Sequence, residues 1–204
     1  MEVLPICPFP SIYWWSIALR NESIYLDKFE HYPKQTYRNR YDILGVNGKV
    51  SLTIPVIGQK GIKTSIKEIQ IAHGTWINTH LGTIRSAYGK SAFFDHFYPL
   101  VEKLYLKKDK YLIDYNLSSI EIHRKLFIEV REINLIDEHI PFGEDDIRLQ
   151  FEPSSGPFLT KEYPQVFADR FTFQNNLSSL DLLFNMGPKA IDYILLKKIG
   201  NEGH

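Results

Sequence analysis

A single cysteine, Cys7, is all the thiol chemistry in this 204-residue chain. One cysteine forms no internal disulfide, and it falls short of the several thiolates or imidazoles that a protein-built zinc site needs. Charge imbalance is also missing. Lys plus Arg number 24 and Asp plus Glu number 24, so the formal net charge is zero. A nucleic-acid binder carries a basic stripe and a high pI, so no nucleic-acid partner is expected. No apolar run reaches the ~18 residues of a membrane-spanning helix, so no transmembrane segment is expected. The opening MEVLPICPFPSIYWWSIAL is apolar but has no basic region in front, and Pro5, Pro8 and Pro10 interrupt it, unlike a signal peptide. The expected location is cytoplasmic. There is no Walker loop, no G-x-G-x-x-G and no His-Glu-x-x-His, so neither a cofactor nor a required metal is expected.

Aromatic residues are plentiful. Tyr (12), Phe (13) and Trp (3) make 14% of the chain, so rings should dominate the interior. The length fits one domain, 1–204. Val3 to Cys7 reads as a strand that Pro8-Phe9-Pro10 stops. Ser11 can cap a helix through Trp14, Trp15, Ile17 and Leu19, and Ser23 to Leu26 reads as the next strand. This strand–helix–strand opening predicts an α/β fold: a mostly parallel central sheet flanked by helices.

A β-hairpin is expected over 41–54, turning at Asn47-Gly48, because a type I′ turn needs positive φ at both central residues. Ile66, Ile69 and Ile71 suggest a short extended segment. Helices are expected from Thr75 (Trp76, Ile77, Leu81, Ile84, Tyr88), over Phe93 to Leu106 with a break near Pro99, and over Leu117 to Val130. Residues 137–168 read as an irregular excursion with one short strand at Ile147 to Phe151. The end is helical. Ser178 and Asp181 have capping-box spacing, Gly187 marks a stop and Pro188 a fresh start.

Three stretches taken together resemble the WbqC-like proteins, a bacterial family found among surface-polysaccharide (O-antigen) gene sets. They are VLPICPFPSIYWW followed by IYLD, then YPKQTYRNRYDILGVNGKVSLTIPV with TWINTHLGTIRSAYGKSAFFDHFYPLVEKLY, then FQNNLSSLDLLFNMGPKAIDYI. The resemblance covers Val3 to about Leu106 and Tyr163 to Ile194. This chain departs in having Cys7-Pro8 where members often carry Gln-Pro, and a reduced region before the last block. The resemblance implies transfer of a small group, such as glycyl, during polysaccharide synthesis. It implies a phosphorylated or nucleotide-linked substrate and a membrane-associated enzyme as partner.

Arg38 and Arg40 stand two apart before the hairpin, so on an extended backbone they share a side and could grip a carboxylate or phosphate. Lys34, Asn39 and Lys63, in the Gly58–Gly61 loop region, would complete such a site. The plain alternative is a solvated strand end. His80 follows Trp76 by four residues, which stacks the two on one helix face; it is a candidate general base, or else a carbonyl-bonded helix histidine. Asp181 and Asn185 share a helix side and are either helix-end residues or pocket residues. Two functions follow: an acyl or aminoacyl transferase, or a non-enzymatic nucleotide- or sugar-binding accessory protein. An exposed patch at Tyr13, Trp14 and Trp15 would favour the second.

Overall fold

The computed structural model describes residues 2–34, 36–57, 64–126, 132–138, 140–141, 143, 146–152, 158 and 160–194. The fold is α/β. Strand β1 (Val3–Leu4) leads through the proline segment to helix α1 (Ile12–Ala18) and strand β2 (Ser23–Asp27). Ser11 caps α1, its side chain accepting from the Trp14 amide. Trp14 and Trp15 are both fully buried, and the Trp14 indole donates to the Pro5 carbonyl at 3.0 Å. The aromatic patch that would have favoured an accessory protein is therefore core, with only Tyr13 half-exposed.

Strand β2 is the centre of a three-stranded parallel sheet. It pairs with β1 on one side and with β7 (Glu132–Ile136) on the other. The pattern of β7 was not recognised in the sequence. Its alternation is weak because both Ile133 and Asn134 are half-buried and Leu135 is exposed.

The hairpin is a separate two-stranded sheet of β3 (Arg40–Gly45) and β4 (Gly48–Thr53). Gly45 pairs with Gly48, so Val46 and Asn47 form the loop, one residue earlier than expected. Neither has positive φ, whereas Gly48 does (103°). This suits a turn followed by a glycine bulge rather than the mirror-image turn. A second small sheet joins β5 (Val56–Ile57) to β6 (Gln70–Ile71), with a 3₁₀ turn at Ile66–Glu68 before it.

Helix α2 (Trp76–Tyr88) buries His80, Leu81, Ile84, Ala87 and Tyr88 against β3. Thr75 precedes it but makes no side-chain cap bond. Helix α3 (Phe94–Leu106) runs through Pro99 without the expected break. Helix α4 (Leu112–Leu126) begins five residues before the expected start, on Leu112, Ile113 and Tyr115, all buried. The expected apolar positions Phe127 and Val130 lie outside the described residues. In the excursion, Ile147–Gln150 is a 3₁₀ turn rather than a strand, capped by Asp146.

Helix α5 (Ser179–Met186) closes the core against α1, α3 and β3. Its cap Ser178 accepts from the Leu180 amide and donates to the Phe9 carbonyl at 2.9 Å. The Ile12 amide donates to Leu177 and the Ser179 amide to Pro10, so the starts of α1 and α5 are zipped together. Gly187 ends α5 at φ 54°, where a Cβ would lie 2.5 Å from the Phe93 ring. A 3₁₀ turn with Pro188 in its first positions leads into α6 (Ala190–Ile194).

Candidate functional site

The two arginines before the hairpin part company. Arg38 is fully buried and forms an ion pair with the buried carboxylate of Glu30. Its guanidinium also donates to the Phe151 carbonyl at 3.3 Å. Beside this pair lies a second one, equally buried: Arg148 donates to Asp27 at 2.8 Å and to Asp146 at 2.6 Å. Asp27 ends β2, so the two pairs sit at the carboxyl end of the parallel sheet and clamp the 146–151 segment there. Neither a solvated strand end nor an open anion grip describes Arg38; its charge is neutralised inside the protein. Charged residues are mostly exposed, but here three carboxylates and two arginines pair off inside the protein.

Arg40 is half-buried, with its guanidinium 5.7 Å from the Tyr37 ring centroid. It lines a small cavity together with Cys7, Ser11, Tyr37, Tyr41 and Asp42. The cavity lies beyond the end of β1, the edge where ligands sit in α/β sheets. It measures about 20 Å³, room for one water. Asp42 accepts from the Tyr37 hydroxyl at 2.9 Å and from Lys49 at 3.2 Å. Cys7 is buried, and that burial pushes its thiol up to about 12 despite the nearby Arg38, so it is an inert small hydrophobe. Asn39 donates to the Ile54 carbonyl at 2.8 Å and holds the hairpin mouth. Lys34 is exposed, and Lys63 lies outside the described residues.

Phe9 walls off this cavity from a second one. Its backbone has φ 40°, unusual for a side-chain-bearing residue, and is pinned at both ends: the amide donates to Ser119 and the carbonyl accepts from Ser178. Its ring contacts Tyr41, Tyr105 and Tyr115 at 4.9, 6.3 and 6.1 Å between centroids. Behind them Trp76 and His80 meet on one helix face as their spacing predicts, but edge to face rather than stacked, at 5.1 Å. The Trp76 indole donates to Ala72 at 3.0 Å.

His80 is buried, and burial lowers its pKa to about 4. A bond to the Thr53 backbone pulls the other way, as a carbonyl accepting the ring proton does. A neutral imidazole has one N–H, so Nδ1 accepts from the Tyr105 hydroxyl, 3.2 Å away. Tyr105 in turn shares a short hydrogen bond with Tyr41. Burial holds both phenols well above their ordinary pKa. The result is a neutral chain, Tyr41 to Tyr105 to His80.

The second cavity, of about 170 Å³, opens on this chain. Trp76, Tyr105, Tyr115 and Asp109 line it, with His73 and Lys108 exposed at its rim. His80 is not among the lining residues and touches two that are, Tyr105 by hydrogen bond and Trp76 by ring contact. Sequence reading placed Trp76 and His80 correctly beside each other but missed Tyr41, Tyr105, Tyr115 and Asp109. These come from β3, α3, α4 and the turn between α3 and α4, and no local spacing links them.

Asp181 and Asn185 belong to neither cavity. Asp181 is fully buried, accepting from the Tyr88 and Tyr163 hydroxyls at 3.1 Å each and from Asn185 at 3.2 Å. Burial pushes its pKa up to about 7 against those three donors. It is a core knot joining α2, α5 and the 163–165 segment, not a capping-box partner. Among the described residues, no three His, Cys, Asp or Glu side chains gather as metal ligands would. No helix there is long and apolar enough to cross a membrane.

Comparison with known proteins gives one match. Neither the curated proteins nor the solved structures contain a significant relative. The model of the WbqC-like protein family matches residues 7–135 and 131–193. That span takes in the Arg40 cavity, the aromatic wall, the His80 chain and the Asp181 knot, and the chain accordingly belongs to the WbqC-like protein family.

Proposed function

We propose that this protein is a cytoplasmic transferase that moves an acyl or aminoacyl group, such as glycyl, onto a sugar amine or hydroxyl in surface-polysaccharide (O-antigen, lipopolysaccharide) synthesis. The observation that carries this reading is the 170 Å³ cavity with Tyr105 in its wall and His80 Nδ1 hydrogen-bonded to the Tyr105 hydroxyl. Family membership supports the polysaccharide setting. The acceptor sits in this cavity. Its nitrogen or oxygen bonds to the acyl carbon, the bond from that carbon to the leaving group breaks, and the acceptor's proton passes through Tyr105 to the leaving group. Tyr105 touches the acceptor. His80 is a positioning residue: at a pKa of about 4 it is a weak base, and it orients the Tyr105 hydroxyl. The half-buried Arg40 and the exposed Lys34 meet the phosphate of a phosphorylated or nucleotide-linked donor at the surface, outside the one-water cavity. A membrane-associated polysaccharide enzyme supplies or receives the sugar. The accessory-protein reading loses its main support, because Trp14 and Trp15 are buried.

A thermal-shift screen with nucleotide sugars, nucleoside phosphates and coenzyme A thioesters tests the donor half. A ligand at 100 times its dissociation constant adds about 2.7 kcal/mol to stability, a visible shift. The expected result is a shift with one phosphorylated compound that disappears in Arg40→Met. Transfer from that donor should fall at least 100-fold in Tyr105→Phe with the donor shift retained. An unchanged Arg40→Met profile, or full transfer by Tyr105→Phe, overturns the reading.

A further inference from the structure

The second cavity holds one buried group that the transfer chemistry leaves unused. Asp109 lies in the turn between α3 and α4, and its side chain is 10% exposed. Lys107 takes one carboxylate oxygen, Oδ1, at 2.9 Å. The other, Oδ2, is buried with no hydrogen-bond partner. A buried unpaired carboxylate oxygen is costly, and such atoms are rare unless a ligand or ion completes them. Asp109 is also close enough to Tyr115 for its charge to add to burial and the neighbouring phenol in keeping that hydroxyl protonated.

Three rings complete the enclosure. Trp76, Tyr105 and Tyr115 are in mutual contact, with centroids 5.7, 6.3 and 5.6 Å apart. Aromatic rings attract a cation, and Oδ2 offers it an unshared acceptor beside the Lys107 pair, with the exposed Lys108 as the competing charge among the lining residues. Together they select a positively charged group carried on an apolar frame. The carboxylate accepts only, so the complementary group must also donate hydrogen bonds, which a primary ammonium does and a quaternary one does not. The size is bounded as well. A cavity of about 150 Å³ accommodates benzene, so the 170 Å³ here suits an amine on a frame of about one six-membered ring.

We propose that the cavity walled by Trp76, Tyr105 and Tyr115 is a binding site for a small primary ammonium ion, with Asp109 Oδ2 as its anionic contact. The acceptor is thus an amine rather than a hydroxyl, bound as its ammonium ion, which gives one proton to solvent before its nitrogen attacks and the second to the leaving group as above. This rests on taking the cavity as the acceptor pocket, but binding is read without turnover, so an inactive transferase and a failed amine site give different results.

The test uses the three tryptophan indole N–H signals in a ¹H–¹⁵N spectrum, with Trp76→Phe to identify the cavity reporter. Trp14 and Trp15 are fully buried elsewhere and serve as internal controls. Cyclohexylamine is titrated against cyclohexanol, of equal size and no charge, and against trimethylcyclohexylammonium, charged but without N–H donors. The expected result is that cyclohexylamine moves the Trp76 signal at a concentration at least tenfold lower than either control. Asp109→Asn should remove that preference, and raising salt should weaken binding of the amine alone. Equal response to amine and alcohol, or a preference that survives in Asp109→Asn, overturns the proposal. So does no response to cyclohexylamine at tens of millimolar. If Asp109→Asn fails to fold, the discrimination among the three probes by the unmutated protein decides the question alone.

Discussion

Replacing Arg38 by Met should destabilise the protein far more than replacing Arg40 by Met. Arg38 is fully buried with its charge balanced by Glu30, itself fully buried. Removing the guanidinium leaves the carboxylate inside without its cation. Breaking a buried pair on one side costs about 3–5 kcal/mol, because the stranded charge keeps its desolvation penalty. For a chain of this size each kcal/mol lowers Tm by about 2–4 °C, so the loss should be about 6–20 °C. The double variant Arg38→Met, Glu30→Leu removes both charges and should recover most of it, since apolar replacements of a whole buried pair are often neutral. The pH dependence gives a second signature. Burial already raises the Glu30 pKa, and Arg38 is the main force lowering it. Without Arg38 the folded-state pKa rises further above the unfolded one, so the native state gains a proton as pH falls. The deficit of Arg38→Met should therefore shrink on acidification from pH 7. Urea titrations of the unmutated protein and the three variants at pH 7 and pH 5 measure all of this. A cost below about 1 kcal/mol for Arg38→Met, or a double variant as unstable as the single, would show that the pair does not hold the 146–151 segment as described.

Other consequences are quickly checked. Burial depresses both His80 and His123 to about 4, so each binds no proton in the folded state where the unfolded chain already does. Stability should fall as pH drops from about 6.5 to 4, by about 3 kcal/mol per histidine, and His123→Phe should flatten the acid limb of a stability–pH curve. Asp181 behaves in the opposite sense. Its folded pKa of about 7 lies above the unfolded value, so the proton it holds stabilises the native state at low pH, and stability is lost as pH rises toward 7. Asp181→Asn should remove that slope in the same titration. Gly187→Ala combines positive φ with a Cβ pressed 2.5 Å from Phe93, and should lower stability by about 2–4 kcal/mol in urea unfolding.

Local chemistry was readable where it acts locally. Ser11 and Ser178 cap the helices they precede, Trp76 and His80 meet across one helical turn, and the opening β–α–β unit follows its proline and apolar pattern. Long-range partners were not readable. Glu30 and Arg148 determine what Arg38 does, yet Arg148 stands 110 residues away. Strand β7 is a strand because β2 offers it a free edge, and its own alternation is weak. The Asn47-Gly48 pair announced a hairpin, but the backbone used the glycine alone for the bulge and moved the loop back by one. At the cavity, one helix face was visible in advance. The tyrosines and Asp109 that complete it came from three further segments.

The zipped starts of α1 and α5 carry a cost during synthesis. The Phe9 carbonyl waits for a serine 169 residues further along. At about 5–20 residues per second, the ribosome needs on the order of 10–30 s to deliver it. Through that interval Trp14, Trp15 and the neighbouring isoleucines have no α5 to pack against, and an emerging chain with exposed tryptophans is a natural client for chaperones. Native contacts this distant in sequence also slow the search for the folded state itself. The protein's yield in a cell should therefore respond to translation speed and chaperone supply more strongly than its final stability suggests.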